Sequence, residues 1–363
     1  MALAVIVHHL YFQKSEPMLY IHQTNCISPQ QNLLPDDFEL LNEPVDKKLL
    51  AIEPSYKQIP PGILRRMGKA IRMGVGAALP LVSPTVPVDG IIIGSSNAGM
   101  DECVKFLNQI VNYEEGQLTP GNFVQSTGNV IAGQLGLITK NKGYNITHVH
   151  LGLAFENALI DAIMQVNTNP SKSYLLGGVD EISPYHYNIE TLTGAYKTEE
   201  LSNKQLFEVD SPGCIAGEGA AMFVVNGAAE LAVAKVTAVI TLHSTDISQV
   251  KQQLKIFIKK NAAEKQIDLF ISGENGDNRT LPFYTACETM LDDDTAVVRY
   301  KQLCGDYDTA AALGLWCACK ILQTQDIPKH IFKKQSSKKV YKNILMYNNF
   351  KGMQHSFILV QKF

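Results

Sequence analysis

Apolar and polar positions along the chain switch between two periods. Short apolar runs stopped by Gly or Ser predict buried strands at 90–96 (GIIIGSS), 145–151 (NITHVHL), 173–183 (SYLLGGVDEIS), 217–227 and 232–246. Between them the spacing becomes helical. Val104, Phe106, Leu107 and Ile110 share one face of a helix over 100–116 that stops near Gly116, and Phe155, Ala158, Leu159, Ala162 and Ile163 form a stripe on a helix over 155–166. Residues 129–139, apolar with two glycines, predict a helix in close contact with a neighbour. The second part of the chain repeats this grammar, with helices over 246–262 and 308–323, a strand over 266–276 and a closing hairpin over 342–363. Alternating strand and helix predicts an α/β fold, and the repetition predicts a duplicated unit. No linker rich in Pro, Gly or Ser separates the two, so one rigid core is expected. The expected division is a leader at 1–17, an N-terminal half at 18–230 and a C-terminal half at 231–363.

Composition narrows the function classes. The chain has 363 residues, 45% of them hydrophobic, with 32 Lys and Arg against 35 Asp and Glu, a formal net charge of −3. That is an ordinary globular balance. No basic stripe interleaved with aromatics points to nucleic acid. No apolar run approaches the roughly 20 residues of a membrane span. The start, MALAVIVHHLYFQKSEPM, lacks a basic n-region and a cleavage site, and its LYFQ resembles a protease-site scar; the native chain is expected to start near Met18. Seven irregularly spaced cysteines predict a reduced, cytoplasmic protein. Cys317 and Cys319 lie two apart on a helix and face different sides, without a matching Cys/His pair, so no metal is expected.

Six stretches, in order, resemble the β-ketoacyl synthases of the thiolase fold. They are IIIGSSNAGM (91–100), LTPGNFVQSTGNVIAGQLGL (118–137), GGVDEIS (177–183), FEVDSPGCIAGEGAAMFVV (207–225), YKQLCGDYDTAAALGL (300–315) and NNFKGMQHSFILV (348–360). The resemblance covers nearly everything from Met18 onward. It implies a five-layered αβαβα fold of two duplicated halves, a dimer whose sheets run on across the interface, and an acyl pocket to which Phe123, Phe155 and Phe350 contribute. Phe123, Asn129 and Gly133 fall where the family has them.

The family's reaction needs a Cys at a helix N-terminus, acylated as a thioester, and two His that stabilise the developing enolate. Aligning GLAFENALIDA to the family's elbow puts Gly152 at the nucleophile. The first His falls near Ser272 or Gly273 and the second at Asp306, while Lys301 matches the family's lysine and Lys351 interrupts its doubled glycine. Glycine offers nothing to acylate, and each lost oxyanion donor costs roughly 10²–10³ in rate. The resemblance therefore implies a degenerate ketosynthase-like subunit. It is similar to the chain length factors of type II polyketide systems and to the ketosynthase-like subunits of aryl-polyene and flexirubin pathways, partnering an active ketosynthase or itself and meeting acyl carrier protein, with no cofactor. Two alternatives stay open: an acyltransferase or decarboxylase using Glu156, Asp306 and Lys301, and a homodimeric acyl- or carrier-binding scaffold.

Several residues have bland readings. Gly152 serves a tight turn. Glu156 complements the helix dipole, and Asp306 caps the following helix. Glu218 braces a glycine loop, and Asp292–Asp294 is a solvated turn. His148 and His150 share a strand face. The Lys333–Lys339 loop is a solvated turn or a dock for an acidic carrier.

Overall fold

The computed structural model describes residues 7–8, 19–31, 34, 38–82, 86–97, 99–262 and 266–363. Of the expected leader, only 7–8 fall within it. The strands are β1 (Val7–His8), β2 (Leu19–Ile27), β3 (Lys48–Leu49), β4 (Gly90–Gly94), β5 (Tyr144–His148), β6 (Tyr174–Asp180), β7 (Ala216–Gly217), β8 (Gly219–Asn226), β9 (Ala234–His243), β10 (Leu269–Ser272), β11 (Ala296–Arg299), β12 (Phe332–Lys334), β13 (Asn343–Phe350) and β14 (Gln354–Gln361). The helices are α1 (Pro61–Leu64), α2 (Lys69–Ala78), α3 (Met100–Asn112), α4 (Pro120–Gln125), α5 (Val130–Thr139), α6 (Ala154–Thr168), α7 (Pro184–Leu192), α8 (Ile247–Asn261), α9 (Leu281–Glu288), α10 (Lys301–Cys304) and α11 (Ala311–Thr324).

The main sheet runs β12-β11-β10-β13-β14-β9-β2-β8-β6-β4-β5. Its two parts carry the same wiring. Numbering the strands of each half by rank, β5-β4-β6-β8-β2 and β11-β10-β13-β14-β9 both read 3-2-4-5-1. Ranks 3, 2 and 4 are parallel and rank 5 is antiparallel in each. The first strands, β2 and β9, pair with each other through Leu19↔Val236, Tyr20↔Lys235 and Ile21↔Ala234, which joins the halves.

The period of two along each strand sorts side chains into layers. Ile91, Ile93, Leu175 and Val179 pack under α2 and α5 on one outer face. Ile92, Tyr174 and Leu176 point the other way, into a central cluster with Phe155, Leu159 and Ile163 of α6 and Leu313, Leu315 and Ile321 of α11. Leu269, Ile271, Ile344 and Met346 close that cluster from the second half. Phe270, Leu345, Tyr347 and Phe357 face away, under α8 and α9. The result is helix, sheet, helix, sheet, helix. Each fully buried large apolar side chain contributes roughly 1.5–3 kcal/mol, so the central layer holds the two parts of the main sheet together.

The repeated grammar read from the sequence is present, with shorter elements. The stretch 217–227 is broken at Glu218, between β7 and β8. The helix expected over 100–116 ends at Asn112. The strand 145–151 ends at His148, leaving His150 beyond it, so the two histidines do not share a strand face. Among the described residues no helix is long and apolar enough to cross a membrane.

Candidate functional site

Two strand-to-helix elbows meet where the halves join. In the N-terminal half the chain leaves β5, passes Leu151 at φ 49° and Gly152 in a tight turn, and enters α6 at Ala154. Gly152 is buried. A Cβ there would lie 2.2 Å from Cβ and 2.3 Å from Cγ of Phe350. The expected turn role is therefore incomplete: Phe350, at the end of β13, occupies the space into which any side chain at position 152 would project.

Behind this elbow, Glu156 is fully buried. Its Oε1 accepts from Ser356 Oγ at 2.7 Å and Asn348 Nδ2 at 3.3 Å. Burial pushes its carboxyl up to about 7. Glu156 lies in the first turn of α6, as the dipole reading expects, and is in addition a cross-half tie from α6 to β13 and β14, sealed from solvent. Asn348 also sits beside Gly273, where a Cβ would come within 2.9 Å of Asn348 Oδ1. Ser272 is buried at the end of β10, and its Oγ accepts from the backbone N–H of Glu274 at 3.4 Å.

In the C-terminal half the elbow is made by α10, Gly305 at φ 73° and Asp306, with α11 beginning only at Ala311. Asp306 does not cap that helix. Its backbone pairs with the Ile215–Gly217 segment: Asp306 N–H donates to Ile215 O at 2.8 Å, and Gly217 N–H donates to Asp306 O at 3.0 Å. Its carboxylate accepts from Lys301 Nζ at 2.5 Å and Asn275 Nδ2 at 2.7 Å. Lys301 is only 2% exposed, and this contact neutralises it. Thr309, just before α11, donates to Asp180 Oδ2 at 2.9 Å. Asp180, at the end of β6, also accepts from Ser95 Oγ and the backbone N–H groups of Ser96 and Asn97. Burial, with the charge of Asp308 nearby, pushes the Asp180 carboxyl up to about 7.

Asp306, Asn275 and Phe350 line a cleft of about 290 Å³. Its mouth is formed by α7 and the β13–β14 turn. There Lys351, at φ 52°, reaches Glu190 at 2.6 Å, and Glu190 also faces His186 at 3.7 Å. The structure thus brings together Gly152 with Phe350, and Lys301 with Asp306 and Asn275. Asn275 was not singled out from the sequence; its one signal there is a place in the glycine-rich exit of β10. Phe155 packs on Phe223 in the central core, ring centroids 6.1 Å apart. Phe123, expected in the acyl pocket, lies 58% exposed on α4 against Phe106. His148 bonds Asp161 at 2.9 Å. Glu218 braces its loop as expected, accepting from Ala51 N–H at 2.8 Å and Ile182 N–H at 3.0 Å, and pairing with Lys69. Lys333 and Lys338 are tied to Glu274, Glu288 and Asp268. No group of His, Cys, Asp and Glu suited to a metal occurs among the described residues.

Residues 43–197 match the family model described as the beta-ketoacyl synthase N-terminal domain. No curated protein gives a match. Among solved structures, a beta-ketoacyl synthase from Burkholderia phymatum STM815 is similar at TM-score 0.72 and 13% identity, over 95% of this chain and 99% of that one. A type II polyketide ketosynthase in complex with its acyl-carrier protein, bound to the hexaketide, matches at TM-score 0.72 and 11% identity, over 95% and 99%. The ishigamide ketosynthase/chain length factor matches at 0.73 and 13%, over 96% and 100%. Residues 43–197 thus match the ketoacyl synthase N-terminal domain in sequence, and nearly the whole chain shares the fold of solved ketosynthases.

Proposed function

We propose that this chain is a non-condensing subunit of the chain-length-factor kind, which pairs with a cysteine-bearing β-ketoacyl synthase working on carrier-bound acyl chains. The observation that carries the reading is the ring of Phe350 against Gly152, filling the place a nucleophile would need. The positions aligned with the two histidines hold Ser272 or Gly273 and Asp306, and Asp306 is engaged by Lys301 and Asn275.

Pairing is supported by the free edge of the sheet. Among the described residues β5 has β4 on one side only. Tyr144, Val149 and Leu151 are exposed along it, as are Phe123 and Val124 of α4 and Leu137 of α5. An unpaired strand edge flanked by apolar side chains is a template for a partner. An active ketosynthase is the occupant this reading favours, with self-pairing as its alternative. For a chain this divergent we place the pathway with aryl-polyene or flexirubin pigments, in the cytoplasm.

In the 333–339 loop Lys333 and Lys338 are engaged by carboxylates, which leaves the exposed Lys334 and Lys339 to meet an acidic carrier. The alternative of an enzyme built on Glu156 is disfavoured by that carboxyl's complete burial. Intact-protein mass after mixing the chain with malonyl- and acyl-carrier protein tests the reading. The expected result is no adduct and no release of CO₂ or thiol. An acyl adduct or steady turnover would sink it.

A further inference from the structure

The cleft at the elbows has an uneven charge. Asp180, Glu181, Glu190, Asp277, Asp306 and Asp308 all line it. Among the described residues its ion pairs are Lys351 with Glu190, Arg279 with Asp277 and Lys301 with Asp306, while His186 also faces Glu190. Asp180, Glu181 and Asp308 enter none of them. Asp180 is served by neutral donors alone, from Ser95, Thr309 and the backbone of Ser96 and Asn97.

Glu181 has the sharper need. It is 8% exposed, its Oε2 accepts from Ala70 N–H at 3.0 Å, and its Oε1 is buried without a partner. A buried acceptor left unsatisfied is unfavourable, and a ligand donor would relieve it. Burial, with the charge of Asp308 near Asp180 and that of Glu102 near Glu181, pushes both carboxyls up to about 7. A cleft with a surplus of one sign of charge concentrates ligands of the other sign.

The walls decide which cation fits. No group of these acids is suited to a metal ion. Tyr187 and Tyr196, stacked with ring centroids 5.0 Å apart, line the cleft together with Phe350. Aromatic faces attract an ammonium and pack against an apolar body. A primary ammonium brings three N–H donors and no acceptor, which suits carboxylate oxygens that lack donors.

We propose that the elbow cleft binds a small primary amine with an apolar body, its ammonium on Asp308 and Glu181 and its body against Tyr187, Tyr196 and Phe350. This site goes beyond the non-condensing role and stands whether or not the chain pairs with a ketosynthase.

Calorimetric titration of the full chain with 2-phenylethylamine, and with 2-phenylethanol as its neutral counterpart, tests the site. The amine is expected to bind about tenfold or more tightly than the alcohol. Asp308→Asn keeps the size of the side chain and removes its charge; it is expected to bring that ratio down to about twofold or less. Lys351→Ala, at an exposed position, releases Glu190 and removes a competing cation, so it is expected to tighten the amine more than the alcohol. Failure of the parent chain to bind the amine, or equal affinity for amine and alcohol, would overturn the proposal without recourse to any variant. So would a ratio that survives Asp308→Asn in a protein whose unfolding curve matches the parent's.

Discussion

The two elbows occupy equivalent places in a duplicated fold and are closed in different ways. At Gly305 the obstacle is backbone: a Cβ would lie 2.5 Å from Gly217 Cα, and one on Gly217 would lie 2.0 Å from Cys304 O. At Gly152 the obstacle is one side chain, Phe350, and its φ is not among the positive values that strain an L residue. Each elbow helix is also tied to the other half, through Thr309 to Asp180 in one direction and through Glu156 to Ser356 and Asn348 in the other. The C-terminal elbow is therefore locked by the main chain. The N-terminal one is closed by a single side chain, and the Cβ of Phe350 as well as its ring stands in the way.

That contrast can be broken experimentally. The largest effect is expected from Gly305→Ala, which combines a left-handed φ with a backbone clash. It should cost about 3 kcal/mol or more in urea unfolding and reduce soluble yield. A loss under about 1 kcal/mol would mean the main-chain lock is absent.

Next is Glu156. With its carboxyl raised from 4.5 to about 7, the folded protein keeps a proton that the unfolded chain releases. Stability therefore falls as pH rises through that window, by up to about 3 kcal/mol from this group. Asp180 and Glu181, raised to about 7 for the same reason, add in the same direction. Glu156→Gln should flatten the profile of stability against pH between 4.5 and 7, gaining on the parent at pH 8 and matching it near pH 4. Parallel profiles would show that the carboxyl is not the titrating group.

Gly152→Cys should cost about 1–3 kcal/mol by overpacking. In a Phe350→Gly background, which removes the Cβ as well as the ring, the same change should cost about 1 kcal/mol less, a coupling that a double-mutant cycle reads directly. Purely additive effects would remove Phe350 as the plug. The smallest effect, about 1 kcal/mol, is expected from Thr309→Val, which takes one hydrogen bond from Asp180.

The parts of this architecture that the sequence disclosed are those where one physical signal dominates. β4 is apolar throughout, β6 is apolar up to Asp180 at its end, and the stripes of α6 and α11 are continuous. β2 carried no such signal, although it is central to the sheet. His22, Gln23, Thr24 and Asn25 interrupt its apolar run, and its register against β8 shifts between Ile21 and Gln23. α2 was hidden by Gly74 and Gly76, and α9 and β11 by their brevity. At the site, Gly152, Lys301, Asp306 and Phe350 could be named because they sit in motifs. Their relations could not. That Phe350 lies on Gly152, or that Asn275 reaches Asp306, follows from bringing together segments whose separation along the chain carries no periodicity. Phe123 shows the converse: a motif position placed it correctly in order and said nothing of the surface on which it lies.

The pairing of β2 with β8 and β9 also sets a schedule for synthesis. Leu19–Ile27 is made well before its neighbours on both sides, which end at Asn226 and His243. At about 5–20 residues per second, that strand waits on the order of 10–40 s for its hydrogen-bonding partners. During that interval the nascent first half has no innermost strand pair, and the edge of Leu19–Ile27 stays open until Asn226 has emerged.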